Sequence, residues 1–479
     1  MTTAPDSVTR SRRWLVLAIC SMSLLIVGMD VTIVNVALPS IQHDLDAPIS
    51  SLQWTTAAYT VVLASLLMLG GSLADRLGRA RVFKFGLALF TAASLACSLA
   101  PGVGWLIAFR VLQGVGGAML NPVAMSIIRN TFEDPRERAQ AIGIWGAVVG
   151  LSMAVGPVLG GVLVGLSWRA VFLVNIPIGL AAIALTARFV PESRAPRPRR
   201  PDPVGQTLVI LALASLTSAI IDGPRLGWGS PWIVGLAATA GIALVTLVRY
   251  ELRRVDPLID PRFFASRPFS AAAVIAVAAF AAFGGFLFLN TLYLQDVRGL
   301  SPLSAGLCTL PLAAMAALSS PIAGRVVGTH GVRAPLVLAG LGMGAGSLML
   351  VSLGADTSLG WLLAAYSVFG LGFGAVNPPI TNAAVSGMPA SQAGVAAAVA
   401  TTSRQVGLTL GVAVFGAVVT ARVAGSLHDD LAAASHLAWW LIAALGAGIV
   451  ALGLAASTGA AHASAERTAA RLHEAPVAA

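Results

Sequence analysis

The chain has 479 residues, of which 57% are hydrophobic and only 10% are charged. A soluble domain carries about 25% charged residues, and a soluble chain this apolar would expose large hydrophobic patches and aggregate. The composition therefore excludes an ordinary soluble protein and indicates a chain that resides in a lipid bilayer.

Apolar blocks recur along the chain, most of them long enough to cross about 30 Å of hydrocarbon as a helix. Helices are required because backbone polar groups that face lipid need partners within the chain. We predict an all-α integral membrane protein with about fourteen transmembrane helices. The predicted spans are 14–38, 53–73, 83–100, 105–128, 139–164, 169–189, 206–221, 231–248, 270–293, 303–323, 334–353, 359–385, 393–421 and 436–457.

The net charge of +10 has an explanation in this topology. With both termini in the cytoplasm, most of the 30 Lys and Arg residues fall in inner tails and loops, as the positive-inside rule requires. A role in binding lipid headgroups is the alternative, and we expect no nucleic-acid partner. We predict a multi-pass protein of the cytoplasmic membrane, and its arginine-rich, lysine-poor composition indicates a bacterial source.

The sequence lacks the residue patterns that several kinds of chemistry require. Cys20, Cys97 and Cys308 lie in predicted spans and form neither a disulfide framework nor a metal-ligand spacing. The sequence contains no phosphate-binding loop, no zinc-protease motif and no serine-hydrolase motif in a plausible catalytic domain. We therefore predict no metal, no cofactor and no enzymatic activity. The first apolar block could be read as a signal peptide, but it is too long and contains Asp30.

Two short patterns recur in the same order. Glycines followed by Asn-Pro occur at 114–122 and again at 370–378, and the segment 73–78 is similar to 322–331. Parallel repeats are a known transporter plan. Because the fourth span pairs with the twelfth, we predict two six-helix halves and two extra central helices. The segments are an N-terminal tail (1–13), the first half (14–190), a linker (191–205), the inserted helices (206–248), a linker (249–269), the second half (270–457) and a C-terminal tail (458–479), with both linkers and both tails cytoplasmic.

The loop between spans two and three combines glycines with charges. Its glycines permit a tight turn, and Asp75 could bind a facing helix N-terminus or an arginine. Such a contact could form in one conformation and break in another, which would make the loop a cytoplasmic gate. The alternative is a charged loop that only sets topology. The predicted gate residues are Gly71, Asp75, Arg76, Gly78 and Arg79.

The segment 71–81 resembles the loop signature of the major facilitator superfamily, although Ala80 stands where the family usually has a basic residue. The segment 30–39 resembles the first-span motif of its fourteen-span drug:proton antiporters, and 110–116 and 146–161 resemble the fourth- and fifth-span motifs. The similarity continues at 168–177 and 221–228. The resemblance implies the major-facilitator fold and proton-coupled drug export.

Asp30 is the only acidic residue inside a predicted span. A charge at the bilayer centre costs about 2.5–3.5 kcal/mol on insertion scales, so such a residue normally faces a wet cavity or a partner. The resemblance implies that Arg110 faces the cavity and takes part in proton coupling. Arg110 needs a partner, and Asp30, Gln113 and backbone carbonyls are candidates. The alternatives are a structural acid near the outer rim and an arginine that only packs.

The fifth span carries small residues at near-helical spacing, which permits close helix contact, and a proline that bends the helix. The resemblance implies a close, bent joint between the halves that serves antiport; simple packing is the alternative. The motif residues are Gly146, Gly150, Gly156, Pro157, Gly160 and Gly161.

Polar residues inside other spans are candidates for the substrate cavity, although some must serve only helix–helix packing. Tyr59 could stack on an aromatic or cationic ligand, as could Trp54 and Tyr293, which are equally suited to the membrane interface. The predicted cavity residues are Asn35, Tyr59, Gln113, Asn121, Asn290, Asn377, Arg404 and Gln405.

These features predict a monomeric proton-driven antiporter that exports hydrophobic, often cationic, drugs or antibiotics by alternating access. Its partners would be the small-molecule substrate, protons and the bilayer. Within transport, a dedicated exporter of one metabolite or lipid is the alternative, and the glycine-proline motif argues against an importer. Outside transport, a membrane sensor or accessory subunit and a membrane enzyme remain.

Overall fold

The computed structural model describes residues 10–474 except 196–201, 255–256, 387, 389–391, 424 and 426. The predicted tail residues 1–9 and 475–479 and most of the Pro-rich linker lie outside this part. In chain order the main helices are α1 (Arg10–Leu45), α2 (Ile49–Leu77), α3 (Arg79–Ser98), α4 (Val103–Thr131), α5 (Pro135–Val164), α6 (Ala170–Phe189), α7 (Pro203–Leu226), α8 (Pro231–Glu251), α9 (Arg267–Leu292), α10 (Pro302–His330), α11 (Arg333–Leu348), α12 (Leu359–Val385), α13 (Ala393–Thr420), α14 (Leu427–Ala456) and α15 (Gly459–Glu474).

Within the described residues, thirteen helices are long and apolar enough to cross a membrane. The eleventh predicted span, 334–353, forms only the 16-residue helix α11, because residues after Leu348 turn back toward α12. The inserted helices run over 203–251 rather than 206–248. Asp202 caps α7 before its predicted start, whereas α8 begins at the predicted residue 231, where Ser230 caps it, and extends to Glu251. The segment predicted as the C-terminal tail contains α15, in which Ser464 Oγ accepts a hydrogen bond from the Arg267 backbone nitrogen at 3.0 Å.

The two sequence repeats differ in structure. In α4 the backbone tightens at Met119 and Leu120, just before Asn121 and Pro122, because the Pro122 nitrogen has no hydrogen to donate. In α12 the corresponding Asn-Pro pair lies inside an unbroken helix. The repeat therefore predicts the pairing of the helices but not their local geometry.

Helices α1–α6 pack into an N-terminal bundle and α9–α14 into a C-terminal bundle. The inserted helix α7 packs against α2 of one bundle and α13 of the other, whereas α8 packs on α7. Gln206 of α7 donates to the Ser65 carbonyl at 2.6 Å, and Ile221 forms a small apolar cluster with Ala57 and Ala413. The insert therefore spans the junction of the bundles.

The bundles touch at one end, which we call the closed end and which carries the turns at 46–48 and 299–301. Gln295 donates to the Val36 carbonyl at 2.9 Å, and Gln53 donates to the carbonyls of Val412 and Ala413 at 3.2 and 2.9 Å. Toward the middle, Thr409 donates to Thr60 at 2.8 Å.

The opposite end, which carries the turns at 78 and 132–134, is the open end. On this part of α5, Gly143, Gly146 and Gly150 have no non-neighbouring atom within 4 Å of the position that a Cβ would occupy. The surrounding residues of α5 are largely exposed. The bundles are in little contact here, although Arg129 Nη1 of α4 lies 3.9 Å from the position that a Cβ would occupy at Gly394 of α13. We interpret the space between the bundles, from the open end toward the closed end, as a cleft.

Candidate functional site

Asp30 lies at the centre of a buried polar cluster inside the N-terminal bundle, with no exposed surface. Its Oδ2 accepts from Arg110 Nη1 at 2.5 Å, and its Oδ1 accepts from Gln113 Nε2 at 2.9 Å and from Asn175 Nδ2 at 3.5 Å. Both carboxylate oxygens act as acceptors, which is the pattern of an ionised carboxylate. The cluster joins α1, α4 and α6.

Arg110 binds all three kinds of partner that the sequence offered: a carboxylate, an amide side chain and a backbone carbonyl. Besides Asp30, it donates through Nη1 to Gln113 Oε1 at 2.6 Å and through Nε to the Thr55 carbonyl at 3.0 Å. Its guanidinium also lies over the ring of Tyr59, 4.3 Å from the centroid. Its Nη2 is buried without an acceptor. One nitrogen of the guanidinium is therefore unsatisfied in this conformation.

Sequence reasoning missed two members of the cluster, Ser94 and Asn175. Ser94 Oγ accepts from Gln113 Nε2 at 2.9 Å and from Asn175 Nδ2 at 3.5 Å. Both residues are fully buried. Asn175 gave a signal, since it is polar and lies within the segment 168–177 that resembles the family pattern; Ser94 gave none, because serine is common in membrane helices.

The cluster is sealed from the cleft in this conformation. Tyr59 covers Arg110 on one side and packs edge-on against Phe90, and Phe172 lies 5.9 Å from the guanidinium on another. Tyr59 and Gln113 therefore belong to the buried cluster and do not line the open part of the cleft. A proton could reach Asp30 only after these helices shift.

The predicted gate loop is stabilised from within the N-terminal bundle. Asp75 Oδ1 accepts from Arg79 Nε and Nη2 at 3.1 and 2.9 Å, so the end of α2 binds the start of α3 in this conformation. Arg76 is exposed and Gly71 is half-buried beside Pro122.

The N-terminus of α3 has a partner that the sequence did not reveal. The Glu192 carboxylate accepts from the backbone nitrogens of Ala80 and Arg81 at 3.0 and 3.2 Å. Gly78 has φ 115°, and a Cβ there would lie 2.7 Å from Glu192 Cδ. Glycine is therefore required at 78 both by the backbone conformation and by the approach of Glu192.

The residues of the glycine motif of α5 have three different environments. Gly156 and Gly160 pack against Thr32 and Ile33 of α1. Gly161 contacts the C-terminal bundle, because its Cβ would lie 2.5 Å from Leu303 Cα and 2.7 Å from the Pro302 carbonyl oxygen of α10. The Pro157 carbonyl lies against Gly306 of the same helix. The expectation of one continuous contact face is wrong for Gly146 and Gly150, which face open space.

Two predicted cavity residues are enclosed in this conformation. Asn35 is buried and donates to the Val31 carbonyl of its own helix at 2.7 Å. Asn290 is buried in the C-terminal bundle, where Oδ1 accepts from the Tyr366 hydroxyl at 2.5 Å and Nδ2 donates to the Phe286 carbonyl at 2.9 Å. Their role as cavity residues is not supported here.

The other predicted cavity residues, Asn121, Asn377, Arg404 and Gln405, are all partly exposed. Arg404 Nη2 on α13 donates to Thr381 Oγ1 on α12 at 2.6 Å. Two of these side chains carry buried oxygens without a donor, Oδ1 of Asn121 and Oε1 of Gln405. The polar groups available to a cargo in this conformation are thus few.

Comparison with known proteins agrees with this fold and these motifs. The family model of the Major Facilitator Superfamily matches residues 20–412. The chain is 36% identical to Multidrug resistance protein Stp of Mycobacterium tuberculosis over 418 residues, covering 87% of this chain and 78% of that protein. It is 38% identical over 433 residues to the Tetracenomycin C resistance and export protein of Streptomyces glaucescens, covering 90% and 80%.

Solved structures give the same fold at lower identity. A bacterial homologue of the human lysosomal transporter Spinster, in an inward-facing and occupied conformation, superposes with a TM-score of 0.67 at 17% identity, covering 96% of this chain and 98% of that chain. The peptide transporter POT in complex with sulfate gives 0.66 at 16% identity, covering 95% of each chain. The chain is a multi-pass membrane protein that belongs to the major facilitator superfamily.

Proposed function

We propose that this chain is a proton-coupled antiporter that exports hydrophobic, drug-like molecules across the bacterial cytoplasmic membrane. The names of its relatives support export, since they include resistance and efflux proteins of Mycobacterium and Streptomyces. The proposal includes a monomeric protein with cytoplasmic termini and no catalytic activity. A dedicated exporter of one metabolite or lipid is the second candidate.

The buried Asp30–Arg110 pair is the observation that carries the coupling. Protonation of Asp30 would remove its charge and turn one of its oxygens into a donor. Arg110 would then lose its counter-ion in a buried site, which is strongly unfavourable. The helices that hold the cluster would therefore prefer a different arrangement once the proton binds.

Helix α1 links this chemistry to the junction of the bundles. Asp30 lies six residues before Val36, or about 9 Å along the helix at 1.5 Å per residue, and the Val36 carbonyl accepts from Gln295 of the other bundle. Gly156 and Gly160 of α5 pack on the same stretch of α1. A shift of α1 on protonation would thus reach the contacts that hold the closed end together.

The contrast between the open end and the closed end supports transport by alternating access. The positive-inside rule places the open end at the cytoplasm, where a drug would enter the cleft, and the closed end outside. Proton entry from outside supplies the energy, because one charge crossing 100 mV yields about 2.3 kcal/mol and each pH unit adds about 1.36 kcal/mol.

Inverted membrane vesicles that hold a pH gradient test the proposal. Ethidium, anthraquinone-2-carboxylate and the methyl ester of that acid are added in turn to wild type, Asp30→Asn and the exposed control Asp356→Asn. We expect at least one compound to collapse the gradient in wild type and control but not in Asp30→Asn. Collapse in all three proteins would support antiport but show that Asp30 is not the residue that couples it to protons. No collapse in any protein would contradict drug export.

A further inference from the structure

Three carboxylate, lysine or arginine side chains among the described residues lie well away from the ends of a membrane-spanning helix: Asp30, Arg110 and Arg404. Asp30 and Arg110 form an ion pair with each other. Within the described part of the chain, Arg404 has no carboxylate within ion-pair distance. The bundle therefore carries one intramembrane positive charge without a counter-charge.

The hydrogen bonds of Arg404 leave it incompletely satisfied. Its Nη2 donates to the neutral hydroxyl of Thr381, and Thr381 in turn donates to the Asn377 carbonyl at 3.2 Å. Its Nε is buried without an acceptor. A guanidinium has five donors in a fixed, planar fork, so one hydroxyl cannot satisfy it.

The position of Arg404 lets a cargo reach it. It extends from α13 toward α12, and it is half-buried while Thr381 is exposed. Thr381 lies four residues before Val385, where α12 ends on the side of the open end. The neighbouring Gln405 also has a buried side-chain oxygen without a donor.

A buried donor without an acceptor is unfavourable by itself, and a carboxylate provides the geometry that satisfies a guanidinium. A guanidinium binds a carboxylate through two parallel, charge-assisted hydrogen bonds. A cationic cargo would instead place two like charges next to each other. The geometry around Arg404 thus favours a negatively charged cargo over the cationic one expected from the sequence.

We propose that Arg404 recognises the charge of the cargo, and that the preferred cargo is an apolar organic anion with a carboxylate as its acidic group. The inference rests on the proposed function, because it names the class of molecule that the exporter takes. Arg404 contacts the cargo directly, and Thr381 positions its guanidinium. An apolar body would occupy the rest of the cleft, where polar groups are few.

Purified full-length protein in proteoliposomes provides the binding test, with quenching of tryptophan fluorescence by anthraquinone-2-carboxylate and by its methyl ester as the readout. The two probes differ in charge and share the apolar ring system. The variants are Arg404→Gln, Arg404→Lys and the exposed control Arg422→Gln. Retained binding of the ester shows that a variant is folded.

We expect wild type and Arg422→Gln to bind the carboxylate more tightly than the ester. Arg404→Gln should weaken carboxylate binding by about tenfold to a hundredfold, the range for a hydrogen bond to a charged group, and leave ester binding unchanged. Arg404→Lys should recover part of the loss. Equal affinity for both probes in wild type, or equal carboxylate affinity in wild type and Arg404→Gln, would overturn the inference.

Proton flux with the same probes separates this inference from the proposed function. If ester or ethidium drives proton exchange equally in wild type and Arg404→Gln, and the carboxylate has no advantage, the inference fails while the exporter stands. If no probe drives proton exchange but the carboxylate still binds in a manner that requires Arg404, the anion site stands and the proposed function fails.

Discussion

Replacement of Gly161 by alanine should open the closed end. The new Cβ would lie 2.5 Å from Leu303 Cα, 2.7 Å from the Pro302 carbonyl oxygen and 2.8 Å from Leu303 N. All three are backbone atoms, so no side-chain rotation can relieve the overlap. Overpacking of this kind costs about 1–3 kcal/mol. The strain exists only while the bundles touch, so the equilibrium should shift away from closure by about 5- to 150-fold.

Distances between spin labels measure this shift. His43 and Asp356 are exposed at the closed end, one in each bundle, and their replacement by cysteine provides two attachment sites. The native cysteines are buried and should not react. In the wild-type background we expect a population at the short distance of the closed end, and in Gly161→Ala a marked transfer to longer distances.

Gly143→Ala is the matched control, because it makes the same change on the same helix where nothing lies within 4 Å. Its distance distribution should equal that of wild type. If Gly161→Ala also leaves the distribution unchanged, the contact between α5 and α10 does not set the balance between the two states, and the reasoning is refuted.

Two further predictions concern stability. Arg110→Ala should lower the free energy of unfolding by about 3–5 kcal/mol by leaving Asp30 buried without its cation, and thermal unfolding in detergent should show a smaller loss when Asp30→Asn is added; an equal or larger loss would argue against the pair. Glu192→Ala should leave the first backbone N–H groups of α3 without their acceptor, which should lower the free energy of unfolding by about 0.5–2 kcal/mol. Hydrogen exchange should then rise at 80–82, and the exposed control Glu133→Ala should show no such rise.

For the buried charges, the sequence predicted a short set of candidate partners, and Arg110 binds all of them. An acid and an arginine in separate spans each require a partner, and the structure joins Asp30 and Arg110 directly. Ser94 and Asn175 could not be found in the same way, because a small polar side chain can satisfy itself on its own helix. Glu192 was hidden because only the fold brings it to the start of α3.

Residues whose environment changes during a conformational cycle were the least predictable. The fifth-span glycines lie at near-helical spacing, yet Gly161 touches the other bundle while Gly146 faces open space. Likewise Asp75 binds Arg79 at the start of α3 in this conformation, and the sequence could not distinguish this nearby arginine from one on a more distant helix. Sequence spacing fixes which residues share a helix face, but the tilt of the bundles decides which part of that face is in contact.

The order and place of the apolar helices were predicted, because the hydrophobic blocks determine them, but the helices run past those blocks. Helix α1 ends at Leu45 rather than 38, and α14 begins at Leu427 rather than 436. Two other differences have local causes. Helix α15 is amphipathic, since Arg467 and Arg471 are exposed and Leu472 is buried. It is too polar to be predicted as a membrane span from its hydropathy. Asp202 begins α7 before its apolar stretch starts.

Proton release on cargo binding tests the central claim, that Asp30 carries the coupling proton, most directly. Purified wild type and Asp30→Asn are mixed in weakly buffered detergent solution with a compound shown to bind both, and the change in pH is measured. Because cargo enters the open form, in which Asp30 is ionised, its binding should convert protein with a protonated Asp30 into that form. The account therefore predicts that wild type releases protons on binding and that Asp30→Asn releases none. Equal proton release from both proteins would contradict it.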